Sequence, residues 1–352
     1  MCYHKCMFNE IRNKIDSELA KFVAGMDKRY SLGRISPLLS QYLKEFILRK
    51  GKRLRPMLFV MGYRGFANKT PPNLYASALA MELLHDFMLV HDDIIDKSDT
   101  RRGKPSMHAM FNKYLSDKKG KKISGQDLAI VAGDVIYAIA VNAFLSIKED
   151  MPRKEKALKK FVEAAMYTGA GEFVELLCGI KNLDQIKKEE IMKVYDYKTA
   201  YYTFAYPLSI GSTLAGAGSK QIDKLFRCGA YLGRAFQIKD DVISLFGDEK
   251  QTGKSALTDL KEAKKTLVIW HAYNHSGKNN KLLIKSIFSK KDVSKKDLQK
   301  VLKIIAASQT LEYLKKEISR LIGRAQTLLK ASAMEPRYKE SLDTYMKQLL
   351  SI

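Results

Sequence analysis

Apolar residues recur three and four positions apart through Asn9–Val23, Leu38–Ile47, Leu74–Val90, Ile191–Tyr206 and Leu298–Leu329, which predicts helices with one buried face in each segment. Strand-like alternation is nearly absent, so the chain reads as all-α. Pro37, Pro56, Pro71, Pro72, Pro105, Pro152 and Pro336 stand where these segments start or break, as expected of a residue suited to a helix's first turn. Pro207 falls within or at the end of an apolar stretch and is expected to kink a helix. Lysine-rich pieces at 118–122, 153–160, 187–188 and 278–296 read as solvated loops and helix faces. None is a Gly/Ser- or Pro-rich linker, and no fixed-period repeat is visible. One helical domain over 1–352 is therefore expected, with residues 1–30 partly peripheral. The longest apolar run, Leu128–Leu145, has the length of a membrane span, but Asp134 in its middle favours a helix buried inside a bundle.

Composition adds a partner class. The 352 residues are 46% hydrophobic and 28% charged, enough to build a core, and 62 Lys and Arg against 38 Asp and Glu leave a net charge of +24. Such an excess attracts nucleic acid, membrane surfaces or phosphorylated small molecules. No zinc finger, RNP aromatic signature or basic heptad region is present, which argues against nucleic acid. The cysteines Cys2, Cys6, Cys178 and Cys228 are too scattered for a disulfide framework, and charged residues interrupt any secretory core near the start. A reducing, cytoplasmic setting is the expectation. Cys2, His4 and Cys6 lack a second ligand pair and read as a frayed terminus rather than a zinc site.

The sharpest chemistry lies in HDDIIDKSDTRRGKP, His91–Pro105. If the preceding helix continues, Asp92 and Asp96 project from one face a turn apart with Asp93 beside them. Like charges that close need compensation, and hard divalent cations supply it. Magnesium takes one or two protein carboxylates and fills its other positions with water and phosphate. Arg101 and Arg102 follow within reach of the same phosphates. A second pair, Asp240 and Asp241, follows another apolar helix, and two such clusters facing one another across a bundle could hold several metal ions around one diphosphate. A third element, GKRLRP at Gly51–Pro56, offers Lys52, Arg53 and Arg55 to an anion without the spacing of a P-loop.

Taken in order, GKRLRP, DDIID with RRGKP, YKTA, and QIKDD with GDEKQTGK resemble the trans-isoprenyl diphosphate synthases, or polyprenyl synthetases, from about Leu38 to Leu267. The resemblance implies an all-α fold around a deep central cavity. It also implies head-to-tail condensation of isopentenyl diphosphate with an allylic diphosphate, with about three magnesium ions as cofactor. Carried over by motif, Asp92, Asp93 and Asp96 are first-cluster metal residues, Asp240 is the second-cluster ligand, and Asp241 assists. Arg101, Lys198 of YKTA and Lys254 of TGK are assigned to the allylic diphosphate, with Lys264 near it. Lys52, Arg55, His85 and Arg102 are assigned to isopentenyl diphosphate, and Thr199 and Gln237 lie near the developing allylic cation. Glu172 and Glu175 of GEFVEL occupy a segment that often reads GQxxDL in the family. A homodimer is implied, and the lysine excess could hold such an enzyme near anionic lipid.

Two departures stand out. Ser244 occupies the usual place of a third aspartate in the second motif, with Asp248 retained after it, which opens the alternative of a non-catalytic partner subunit. The end of the chain, KQLLSI, lacks the basic tail of some farnesyl synthases. Phe87 and Met88, five and four residues before Asp92, form the expected floor for the growing product, with Leu84 a further turn up. That pattern resembles synthases of geranylgeranyl or, alternatively, farnesyl diphosphate. A class I terpene cyclase would share the first aspartate motif, but GKRLRP and the second pair favour condensation.

Overall fold

The computed structural model describes residues 2–246, 260, 262–290 and 292–350, the side chains of 2–6 excepted. The described residues are helical apart from turns and one two-residue-per-strand hairpin, as the periodicity predicts. Two compact units emerge: residues 1–159 with 210–217, and residues 160–209 with 218–352.

The first unit is organised on α6 (Leu74–Ile95), a helix apolar on most of its circumference because α5 (Leu54–Arg64), α8 (Gly125–Leu145) and α1 (Cys2–Ala24) all pack on it. Residues 1–30 take part through α1 and α2 (Met26–Tyr30): Ile15, Leu19, Val23 and Met26 are buried while the intervening polar residues face out. A four-residue α3 (Leu32–Ile35) leads to α4 (Pro37–Ile47), which starts where its residues dictate, with Pro37 at the first helical position and the Ser36 hydroxyl accepting from Leu39 N–H at 3.3 Å. β1 (Thr100–Arg101) and β2 (Lys104–Pro105) form the hairpin, followed by α7 (Met107–Leu115). Arg102 and Gly103 turn it with φ of 57° and 72°, the left-handed pair that a two-residue connection between twisted strands favours.

The expectation that Leu128–Leu145 is enclosed is corrected. α8 is long and apolar enough to cross a membrane, yet only 44% of its most apolar window is buried in the chain, and Ile130, Val131 and Leu145 are exposed. One stripe packs on α6 and α7 while the other is left open.

The second unit contains the later part of α9 (Met151–Gly179), α10 (Lys188–Val194), a π-helix (Tyr195–Ala205) and the start of α11 (Tyr206–Leu214). Against the π-helix lies α12 (Ser219–Phe246), followed by α13 (Leu267–Asn274), α14 (Lys278–Phe288), α15 (Lys295–Ala307), α16 (Thr310–Lys330) and α17 (Pro336–Leu349). The periodic stretch Leu298–Leu329 is not one helix. It breaks between α15 and α16 at Gln309, whose φ of 53° no α-helix accommodates. Pro207 sits just after the π-helix gives way to α-helix, where its missing N–H removes a bond that either register would use. α12 approaches the π-helix closely: a Cβ on Gly233 would fall 2.4 Å from Ala200 Cα, so no larger residue fits without moving backbone.

Candidate functional site

In the first unit the basic motifs and α6 meet. Lys52 is exposed on the loop before α5, Arg53 is buried, and Arg55 and His85 are half-buried. Arg53 donates to Glu82 of α6 at 2.6 Å and to Asp16 of α1 at 2.9 Å. Arg102 reaches the same place, 3.9 Å from Glu82 and 3.8 Å from Asp86. Gly51 lies against this cluster, and a Cβ there would come within 3.2 Å of Arg53, 3.3 Å of Glu82 and 3.4 Å of Arg102. Burial, reinforced by Arg55, Arg102, Arg101 and Arg53, holds His85 well below the usual imidazole range, so it stays neutral. The groups that resemblance assigned to isopentenyl diphosphate are thus gathered, apart from the outward Lys52.

At the C-terminal end of α6, Asp96 N–H donates to the Asp92 carbonyl at 2.8 Å, which confirms their one-turn spacing; both side chains are partly open to solvent. Asp93 is enclosed and takes the Arg101 Nε at 2.7 Å, so it holds an arginine of the hairpin. Among the described residues no three His, Cys, Asp or Glu side chains converge into a ready-made cation site. Two open carboxylates a turn apart nevertheless suit magnesium, which keeps waters and phosphate oxygens in its remaining positions. Phe87 packs on His91 and on Tyr137 of α8, with ring centroids 4.7 and 5.2 Å away, while Met88 and Leu84 are buried.

In the second unit Asp240 is exposed and Asp241 buried, next to one another on the last turns of α12. Asp241 accepts from the Tyr195 hydroxyl and from Gln237 Nε2 at 2.8 Å, while Tyr195 also accepts from Leu267 N–H at 2.8 Å. Burial, with the charge of Asp241, raises the Tyr195 phenol well above its usual range and keeps it a donor. Ser244 is half-buried one turn beyond Asp240. On the π-helix, Lys198 pairs with Glu172 at 2.5 Å and with Glu175, and Thr199 is half-buried. Gly171 permits that approach, since a Cβ would meet Lys198 N at 2.5 Å. Lys264 pairs with Glu262 at 2.8 Å. Lys254, Asp248 and the side chains of Cys2, His4 and Cys6 lie outside the described residues.

Sequence reading missed the residues that aim these groups: Arg49, Asp16, Glu82 and Asp86 in the first unit, and Tyr195, Asp196 and Arg234 in the second. The side chain of Arg49 is 2% exposed; it donates to the Pro105 carbonyl at 2.8 Å and the Arg101 carbonyl at 3.4 Å, so it ties the hairpin to α4 through its partner Glu45. Asp196 takes Arg234 at 2.5 and 2.6 Å and pins α12 to the π-helix. The available signal was charge on otherwise apolar helices, as in MELLHD and VYDYK.

An all-helical fold with these two aspartate clusters and basic loops defines a class: the isoprenoid synthase fold. The polyprenyl synthetase family model matches residues 36–305, and the chain belongs to that family. A short chain isoprenyl diphosphate synthase of Methanocaldococcus jannaschii is 31% identical, over 87% of this chain and 84% of that one. A geranylgeranyl diphosphate synthase of Sulfolobus acidocaldarius is 30% identical, over 87% and 85%. The crystal structure of a geranylgeranyl pyrophosphate synthase from Corynebacterium glutamicum, complexed with isoprenyl diphosphate and magnesium, superposes with a TM-score of 0.87 at 24% identity, over 97% of this chain and 98% of that one.

Proposed function

We propose that this chain is a short-chain prenyl diphosphate synthase, which joins isopentenyl diphosphate head-to-tail to an allylic diphosphate and releases geranylgeranyl diphosphate. The observation that carries this reading is the first unit's arrangement: Arg55, Arg102 and neutral His85 around the middle of α6, and Asp92 and Asp96 beside Arg101 at its end. One helix thereby presents an anion pocket and a metal-binding edge. Asp92 and Asp96 at the end of α6 would hold magnesium; the family resemblance assigns about three ions, with Asp93, Asp240 and Asp241 contributing, and when bound they neutralise the allylic diphosphate as a leaving group.

The protein's own groups orient and shield. Arg101, held by Asp93, grips the allylic diphosphate, and the family resemblance assigns Lys198, Lys254 and Lys264 to the same substrate. Lys52, Arg55, His85 and Arg102 hold isopentenyl diphosphate so that its double bond faces the cationic carbon. Thr199 and Gln237 present polar atoms to that cation. The departing diphosphate takes the proton, so no side chain is assigned as a base. Phe87, backed by Tyr137, with Met88 and Leu84 stops the product; a geranylgeranyl rather than farnesyl limit is supported by the Sulfolobus relative.

The exposed stripe of α8 supports a homodimer. A net charge of +24 supports a cytoplasmic enzyme that associates peripherally with anionic lipid, where its apolar product partitions.

The test is incubation of purified protein with magnesium, labelled isopentenyl diphosphate and, separately, dimethylallyl, geranyl and farnesyl diphosphates, with products resolved by length. Elongation to geranylgeranyl diphosphate is expected. No product from any primer, in a folded protein, would make Ser244 decisive and the chain a non-catalytic partner subunit.

A further inference from the structure

The basic cluster on α6 contains a carboxyl that the condensation leaves without a role. Asp86 is fully enclosed, at 0% exposure, and neither carboxyl oxygen has a hydrogen-bond partner. The charged groups facing it come from the hairpin, α5 and α6 itself, with α1 behind them. Arg102 of the hairpin lies 3.8 Å from Oδ1, Arg53 and Arg55 come from the loop and first turn at α5, and Glu82 lies one turn back on α6. Asp16 of α1 joins through Arg53, with Arg12 3.8 Å beyond it, and His85 next to Asp86 is neutral.

Arg53 and Arg102 are held differently. Arg53 is firmly held, donating to Glu82, Asp16 and the Arg49 carbonyl. Arg102 is only loosely held, at 3.8 and 3.9 Å from Asp86 and Glu82 and 3.5 Å from the Arg49 carbonyl. An enclosed carboxylate without a hydrogen-bond donor is costly, whereas a neutral carboxyl is not. Burial first and Glu82 second push Asp86 well above the usual carboxyl range, against the pull of the arginines.

We propose that Asp86 is a positioning residue of the isopentenyl-diphosphate pocket: when protonated it leaves Arg102 available to the diphosphate, and when ionised it draws Arg102 back. This rests on reading the cluster as that pocket. In the alkaline step the Asp86 O–H bond breaks, its proton passes to solvent hydroxide, and the carboxylate pairs with Arg102. Because the carboxyl's folded value is raised, affinity is full below that value and falls as pH rises through it.

The experiment measures the dissociation constant of isopentenyl diphosphate by calorimetry on the full chain, from about pH 6 to about pH 9, for wild type and Asp86→Asn. The ligand's own titration is common to both and cancels in their ratio. Wild type should lose on the order of tenfold affinity relative to the variant on the alkaline side, with no matching divergence in KM for the allylic substrate. Parallel curves overturn the proposal. Should Asp86→Asn fail to fold, proton uptake by wild type, measured in buffers of different ionisation enthalpy, decides: uptake beyond the ligand's own on the alkaline limb supports it, and none refutes it. Absence of binding by wild type at any pH is a separate result, which removes the pocket reading itself.

Discussion

Tyr195 shows how much of the second motif depends on one hydroxyl. It donates to Asp241 and accepts from Leu267 N–H, so Tyr195→Phe leaves a buried carboxylate and a buried amide each short of a partner. The loss should be about 2–4 kcal/mol in stability, from two unsatisfied buried groups. The magnesium concentration for half-maximal rate should rise as Asp240 loses its anchored neighbour. Denaturant unfolding and a magnesium titration of the rate check the two effects, and an unaltered titration would confine Tyr195 to stability. Phe87 offers the complementary test. Its ring is wedged between His91 and Tyr137, so Phe87→Ala should open space one side chain deep and shift the product by one isoprene unit or more. Chain-length analysis that finds the wild-type product would remove Phe87 from the floor. At this scale the motif residues were legible because their charge is out of place on apolar helices. Tyr195, Asp86 and Arg49 were not, since the groups they face lie 46, 16 and 56 positions away: Tyr195 bonds Asp241, Asp86 faces the charge of Arg102 without a hydrogen bond, and Arg49 bonds Pro105.

Between elements, Arg49 is the connection that matters most for the hairpin. Two strands of two residues each cannot hold their own position, because so short a ladder is marginal in water. Arg49 supplies what the ladder lacks by binding the carbonyls of Arg101 and Pro105, while its own carbonyl accepts from Arg102 and Arg53. Arg49→Ala should therefore raise KM for both diphosphates together, with a stability loss of about 1–2 kcal/mol from the lost carbonyl contacts, since the Glu45 it leaves behind is a third exposed and keeps Lys104 as a partner. Steady-state kinetics with each substrate varied in turn check this; a rise confined to one substrate would mean that the hairpin keeps its place. Helix positions were legible wherever a periodic stretch had a cap, as at Ser36 and Pro37. The break at Gln309 was not, because its left-handed backbone carries no glycine to announce it. The π-helix was not either: one extra residue per turn barely disturbs an apolar period.

For the whole molecule the open question in the sequence was the long apolar run, and its answer bears on the proposed dimer. Asp134 led to the expectation of a fully enclosed helix, yet the chain covers only one stripe of α8. Apolar periodicity reports that a helix is covered, not whether its own chain does the covering. Ile130 and Val131, at 41% and 58% exposure, form an apolar stripe that the chain leaves uncovered, and in the proposed homodimer a second copy would supply the same stripe. In a two-fold interface every residue acts twice, so one introduced charge places two carboxylates in the apolar contact. Val131→Glu should raise the dimer dissociation constant at least a hundredfold, about 3 kcal/mol, by burying that pair unpaired. Sedimentation velocity over a concentration series measures it, with circular dichroism to confirm the fold. The Asp92–Asp96 edge, and Glu82, His85 and Asp86 against the arginine cluster, lie on the helix that packs directly against the covered stripe of α8. Turnover should therefore fall with the dimer fraction as the protein is diluted. A Val131→Glu protein that remains dimeric would assign the interface elsewhere.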